Sequence, residues 1–361
     1  MHRANRQSHR RHFHGTLLGH ISSGSGRRTR SAAPLLALPP SDDGSRRQAE
    51  IEQDLLLARD IQQGLLLETV PRLPGWEVSA VSLPARELGG DLYDFLPFAN
   101  GWHGIMIGDV SGKGLPAALR MAVARTVFRH EARQGHAPAP TLAAVNQGVL
   151  SEIPHGMVTM LYVMLDTQSG LFRIANAGHN YPVLINGRVH EVELSGLPLG
   201  VDSESNYAEL SATLRHGDTV LLYTDGVVEA TNAAGEMFGY ERLEGLLQGH
   251  EGLKPRALLA VLLHELRTWG STGQADDITM VIVRRRLAQI GAELRSLFDD
   301  VLEHERAAQL WAELALPDLD APAAEWFTAL PEIVSATQDR YGRGLARELN
   351  GQLRLALEEY R

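Results

Sequence analysis

Gly104-Ile105-Met106-Ile107-Gly108-Asp109-Val110-Ser111-Gly112-Lys113-Gly114 is the stretch on which the reading of this chain turns. Its first half is an apolar run of strand character. Its second half is a glycine-rich bend, and Pro116–Ala132 beyond it reads as a helix. Asp109 therefore ends a buried strand beside a sharp turn. Taken alone, such an Asp is as readily a helix cap or a turn former as a site residue. The layout recurs, however, in Gly89-Gly90-Asp91, in Leu221-Leu222-Tyr223-Thr224-Asp225-Gly226 and in Ala275-Asp276-Asp277-Ile278-Thr279. Carboxylates at strand ends are poor packers and can meet at one end of a sheet. Gathered in one pocket they would repel, unless hard, oxygen-seeking divalent cations sat among them.

Working outward, Trp76–Val81, Leu92–Phe98, Val158–Leu165 and Leu171–Ala175 are apolar or alternating runs bounded by turns. Pro182–Ile185 and Arg188–Leu194 flank Asn186-Gly187, a strong hairpin signal, and Val220–Thr224 and Ile278–Val283 complete the strands. Pro116–Ala132, Thr141–Ile153, Glu241–Leu247 and Pro255–Trp269 read as helices. Adjacent strands followed by paired helices predict an α+β fold with antiparallel sheets rather than βαβ units.

The flanks differ in kind. Residues 1–45 are rich in Arg, His, Ser and Gly and read as a disordered basic tail without a signal-peptide core. Residues 46–70 form a linker in which Ile51, Leu55, Ala58, Gln62 and Leu65 make a short coiled-coil seam with one polar position, over a helix at 46–67. Such a helix is marginal alone and is expected to dock or to dimerise. Residues 71–286 hold the strand-rich domain. Residues 287–361 read as a helical extension, with Leu345, Leu349, Leu353 and Leu357 in one stripe.

Composition narrows the function. The chain has no Cys, which excludes disulfides, thiolate metal sites and a cysteine nucleophile, and fits a cytoplasmic location. The net charge is −10, yet residues 1–41 hold seven Arg and no acid, so the body carries the whole acidic excess. An acidic body argues against nucleic-acid binding, and no apolar run is long enough for a membrane span.

Glu87-Leu88-Gly89-Gly90-Asp91-Leu92-Tyr93-Asp94 and Gly108-Asp109-Val110-Ser111-Gly112-Lys113-Gly114 resemble the PPM-type, metal-dependent serine/threonine protein phosphatases, in their bacterial SpoIIE/RsbU-like branch. Asn176-Ala177-Gly178-His179-Asn180, Gly196-Leu197-Pro198-Leu199-Gly200, Thr224-Asp225-Gly226 and Asp276-Asp277-Ile278-Thr279 follow in that family's order, so the resemblance spans about residues 48–286. It implies an αββα sandwich with two Mn²⁺ or Mg²⁺ ions at one end. Asp109 would bridge both ions, the Val110 carbonyl would be a further ligand, and Asp91, Asp225 and Asp276 would complete the shells. Asp277, where relatives often have Asn, and Asp94 stand in second rank. Two cations about 3.5–4 Å apart would activate a bridging water for direct attack on a phosphoserine ester.

Two departures from the pattern matter. Ser111 stands where eukaryotic relatives place a histidine acid, so leaving-group protonation would fall to water. His179 stands where relatives with a third metal place an Asp. Arg86, five residues before Asp91, suits a phosphate clamp through its bidentate fork or is simply a surface arginine, and Lys113 could approach the phosphate too or simply begins its helix. By resemblance the substrate would be a phosphorylated STAS-domain anti-sigma-factor antagonist. Input would come from an upstream activating protein or from homodimerisation through helix 46–67. The alternative is a non-catalytic module that keeps the fold for partner switching.

Overall fold

Side-chain alternation decides how the sheets stack. In the computed structural model, which describes residues 42–65, 70–153, 156–270, 274–287, 289–358 and 360, strand β3 (Trp102–Val110) turns Ile105 and Ile107 to one face and Met106 to the other. Ten strands are present among the described residues: β1 (Trp76–Leu83), β2 (Leu92–Pro97), β3, β4 (Val158–Asp166), β5 (Leu171–Ala177), β6 (Val183–Ile185), β7 (Val189–Glu191), β8 (Glu209–Thr213), β9 (Thr219–Tyr223) and β10 (Ile278–Arg285). They form two five-stranded sheets, ordered β1-β10-β9-β6-β7 and β2-β3-β4-β5-β8, in which every pairing is antiparallel.

The period of two gives each sheet a buried face on both sides. Ile105, Ile107, Leu161 and Val163 of one sheet meet Val220, Leu222, Val281 and Val283 of the other in a central core. The outer face of the second sheet packs Met106, Met160 and Tyr162 against α2 (Leu115–Ala132) and α3 (Pro138–Glu152), through Met121, Phe128 and Leu142. The outer face of the first packs Leu221, Met280 and Ile282 against α4 (Gly239–Gln248) and α5 (Pro255–Trp269). The result is the expected αββα sandwich.

Local chemistry explains the boundaries. Asn186-Gly187 turns the β6–β7 hairpin, with Gly187 at φ +83°, a conformation costly for any residue with a Cβ. Helices α2, α3 and α5 each have proline in the first turn, where its missing N–H is no loss. Strand β8 escapes sequence reading: it is an edge strand, half-buried or exposed throughout, so its alternation is weak.

Two compact units divide the chain at residues 48 and 49. Of the first, only the start of helix α1 (Asp42–Leu65) is described, and the basic tail expected over residues 1–45 lies outside the described residues up to residue 41. Residues 66–67 of the expected linker helix also lie outside them. Within the second unit the seam of α1 is half-buried at Leu55, Ala58 and Leu65 and buried at Gln62. After β10 come α6 (Ile290–Leu302), α7 (His304–Glu313), α8 (Ala323–Tyr341) and α9 (Arg343–Glu358), around a separate core of Phe298, Trp326, Leu349, Leu353 and Leu357. No helix among the described residues is long and apolar enough to cross a membrane.

Candidate active site

Strand register brings the acidic stretches together. Asp91 immediately precedes β2 and Asp109 lies one residue before the end of β3. With Leu92 opposite Gly108, both sit at the same end of their sheet. In the other sheet, Thr224-Asp225 follow β9 and Asp276-Asp277 precede β10, with Tyr223 opposite Met280. The two ends join across the sandwich. Thr224 Oγ1 donates to Asp91 Oδ2 at 2.8 Å and accepts from Thr279 N at 2.9 Å.

The gathered carboxylates disturb one another. Burial, followed by the Asp109 charge, pushes the buried Asp91 carboxyl well above its ordinary value, against the hydroxyls of Thr279 and Thr224. Burial, then Asp225, Asp276 and Asp277, pushes Asp109 up to about 7, while a hydrogen bond with Asp91 opposes the rise. Asp225 is raised too, first by burial and then by Glu229 and Asp276, with the Gly226 amide and Lys113 acting the other way. Without an added cation the cluster therefore keeps protons that isolated aspartates would release.

The backbone leaves room at the right place. A Cβ on Gly90 would lie 2.7 Å from the Val110 carbonyl oxygen and 3.3 Å from Asp109 Oδ1. The absence of that atom lets the Gly89-Gly90-Asp91 turn press against the buried Val110 and against Asp109. Gly90→Ala is expected to cost roughly 1–3 kcal/mol of stability through overpacking, and to cut turnover by about 10²-fold by displacing Asp91. Thermal melts and kcat/KM measure both; wild-type turnover in this variant would refute the close-approach argument.

Asp277 holds the same turn from behind. Its carboxylate accepts from Gly90 N at 2.6 Å and Ala85 N at 2.7 Å, so it fixes the loop that carries Asp91. Asp94 is not brought into the cluster. It is buried beneath α2, where Arg125 Nε lies 3.1 Å from Oδ2 and Arg129 Nη1 donates to Oδ1 at 2.8 Å and Oδ2 at 2.7 Å. Lys113 does not stand free for a phosphate: its Nζ is 2.8 Å from Asp276 Oδ2 and donates to the Ala275 carbonyl at 2.7 Å. Arg86 is exposed, next to the anchored Ala85. His179 is buried, with Nδ1 2.8 Å from Thr159 Oγ1, and burial lowers it to about 4, so its ring is neutral at physiological pH. Asn176 clasps that loop through His179 N and O, as a packing residue would.

Two contributors have no acidic signature. Thr224, read only as part of a Thr-Asp-Gly motif, is the hydroxyl that ties the sheets together at Asp91. Gln62 of α1 donates from Nε2 to the Gly89 carbonyl at 2.7 Å and accepts from Gly89 N at 3.2 Å. The one polar position in an apolar seam was the visible signal for it.

The donor set is all oxygen and mutually repelling, as suits hard divalent ions. Among the described residues, no three His, Asp or Glu side chains stand as a ready-made metal cage.

The family model for Stage II sporulation protein E (SpoIIE) matches residues 100–286, more than half of the chain. The chain belongs to the SpoIIE family. Its strand-rich domain is a PPM-type phosphatase domain, and the chain is a phosphatase by that membership. It is 29% identical over 246 residues to the phosphoserine phosphatase RsbU of Bacillus subtilis, covering 66% of this chain and 72% of that protein. Among solved structures, the SiaA-PP2C domain of Pseudomonas aeruginosa superposes with a TM-score of 0.61 at 25% identity, covering 66% of this chain and 98% of that one. The RsbU and RsbW domains of Rv1364c from Mycobacterium tuberculosis superpose with a TM-score of 0.56 at 26% identity, covering 71% of this chain and 80% of that one.

Proposed function

We propose that this SpoIIE-family chain hydrolyses phosphoserine or phosphothreonine in a protein substrate, with two Mn²⁺ or Mg²⁺ ions held by Asp91, Asp109, Asp225, Asp276 and the Val110 carbonyl. The observation that carries the reading is the meeting of these four aspartates at one end of the sandwich, with Asp109 raised to about 7 by burial and its acidic neighbours. Bound there, the ions would supply an activated water and neutralise the phosphoryl oxygens.

The chain's own residues do the rest. Thr224 and Thr279 hold Asp91 in place, and Asp277 fixes the loop that presents it. Asp109 is less deeply buried than Asp91 and faces the space left by Gly90. Arg86, exposed beside the anchored Ala85, is assigned to capture the phosphate. Ser111 cannot replace a histidine acid: its Oγ accepts from Met157 N at 3.2 Å, and an alkyl hydroxyl is a poor proton donor at neutral pH. The leaving oxygen takes its proton from solvent.

The similarity to RsbU supports, as substrate, a phosphorylated STAS-domain antagonist of an anti-sigma factor in a cytoplasmic partner-switching pathway. Leu57 and Ile61 of α1 are each 60% exposed, one helical turn apart, and offer the surface for homodimerisation or for an activating protein. Incubating the purified chain with a serine-phosphorylated STAS-domain protein should release inorganic phosphate only when Mn²⁺ or Mg²⁺ is present. Asp225→Asn should remove that release. A chain that frees no phosphate from any phosphoserine protein with either metal would instead be the non-catalytic module.

A further inference from the structure

Of the 34 basic residues in this chain only two are lysines, Lys113 and Lys254. Lys113 lies inside the acidic cluster. Its Nζ is 2.8 Å from Asp276 Oδ2 and donates to the Ala275 carbonyl at 2.7 Å, so it satisfies two oxygens at the position assigned above to a metal ligand. It is also the basic group that lowers Asp225, against the acids that raise it. An ammonium is a compact point charge, the side-chain group nearest in shape to an inorganic cation, whereas a guanidinium spreads its charge over a planar fork. In a chain that otherwise uses arginine, a lysine here has a chemical meaning.

The strap that carries it is shaped by glycine. Gly112 and Gly114 flank Lys113 at φ +105° and +70°, a region that glycine enters at no steric cost. A Cβ on Gly114 would meet nothing within 4 Å, and one on Gly112 would meet only Arg120 Nη1 at 3.8 Å. The ion pair is open to solvent, with 44% of the Lys113 side chain and 35% of Asp276 exposed, so it can be displaced at small cost. The Asp276 charge lies close enough to Asp109 and Asp225 to raise both, and Lys113 pairs with it from within the chain.

We propose that Lys113 is a built-in counter-cation that occupies Asp276 while the site is empty of metal and competes directly with a divalent ion for that carboxylate. Filling the site then requires the strap 112–114 to withdraw Nζ from Asp276 and Ala275. Metal affinity is thereby set partly by a residue that need not touch the ion. The proposal rests on the metal-site reading above and adds a competitor to it.

Isothermal titration of the full chain with Mn²⁺ tests the competition. Lys113→Met keeps most of the aliphatic stem and removes the charge, and at an exposed position it leaves folding intact by circular dichroism. It is expected to tighten Mn²⁺ binding roughly two- to fivefold, the strength of an exposed ion pair. Tighter binding by Lys113→Met, including binding where wild type shows none, supports the proposal; equal or weaker binding overturns it. Absence of binding in both chains overturns the metal-site reading and the proposal with it, which separates the two failures. Amine-reactive labelling read by mass spectrometry distinguishes occupation of Asp276 from a general field effect. Adding Mg²⁺ should raise the reactivity of Lys113 about twofold or more, with buried Lys254 as the internal reference. Unchanged or reduced labelling of Lys113 would mean that the metal does not displace it.

Discussion

Replacing Asp109 by Asn should abolish turnover and yet stabilise the metal-free protein. The loss of activity follows from the proposed role at the junction of both ions, and a fall of roughly 10³-fold or more is expected when such a position loses its charge. The gain in stability follows from the electrostatics already present. Burial and three neighbouring acids push the Asp109 carboxyl up to about 7. A carboxyl with a raised folded-state pKa favours folding only while it is protonated. That contribution is complete below its unfolded value near 3.8 and is lost as pH rises through about 7. Asparagine keeps the shape, never ionises and removes the Asp109 share of this pH-dependent loss.

The two effects can be read in one set of melts. In EDTA the wild-type melting temperature should fall between pH 4.5 and 8, and the slope should be shallower for Asp109→Asn. With Mn²⁺ the order should reverse. Wild type gains stability by mass action, about 2.7 kcal/mol at one hundred times the dissociation constant, while the variant gains little. Because metal and protons compete for the same carboxylates, the Mn²⁺ effect should also weaken as pH falls below 7. A pH-independent wild-type melt in EDTA, or equal stabilisation of both proteins by Mn²⁺, would contradict the account of this cluster.

How much of this was legible before the structure depends on the kind of information each residue carries. Binary patterning is local, so the core strands, the paired helices and the α+β class were readable from runs such as Ile105–Ile107 and Val281–Val283. Strand-end aspartates beside glycine were readable as a set because the layout recurs. What the chain does not display locally is pairing. Nothing near Asp94 shows that Arg125 and Arg129 will reach it from a helix that starts some twenty residues later. Asp277 and Gly90 are 187 residues apart, and only the stacking of the two sheets brings the carboxylate to that amide. Lys113 likewise looked like a phosphate contact or a helix start, because its partner lies in the other sheet's β10 approach. The edge strand β8 failed for a different reason. Its burial is shallow on both faces, so the pattern that marks a strand is faint.

The other lysine lies at the end of the β1–β10 pair away from the acidic cluster. Lys254, buried at the start of α5, has its Nζ 3.3 Å from Glu293 and Asp300 of α6 and 3.8 Å from Glu77 of β1. Arg284 of β10 joins Glu77 at 3.1 Å. This network is the charged seam between the phosphatase sandwich and the helices that follow it. Burial works against the charge on Glu293, but Lys254, then Arg284, outweigh it and leave its carboxyl below the ordinary value. A lowered folded-state pKa gives stability that is present above the unfolded value and lost as pH falls through the folded one. Lys254→Met removes the largest of these partners and leaves Glu293, which is almost wholly buried, short of compensation. Breaking a buried pair in this way costs roughly 3–5 kcal/mol, a fall of about 4–7 °C in melting temperature for a chain of this size. With its largest partner gone, burial lifts the Glu293 carboxyl from its lowered position against Arg284, the Leu287 amide and Arg286, so the variant gains less stability than wild type as pH rises through the acid range. The gap between wild type and Lys254→Met should therefore widen from pH 5 to pH 7, and adding Glu293→Gln to the variant should close part of it. A gap that is small, or independent of pH, would mean that apolar packing alone holds α6 to the sandwich.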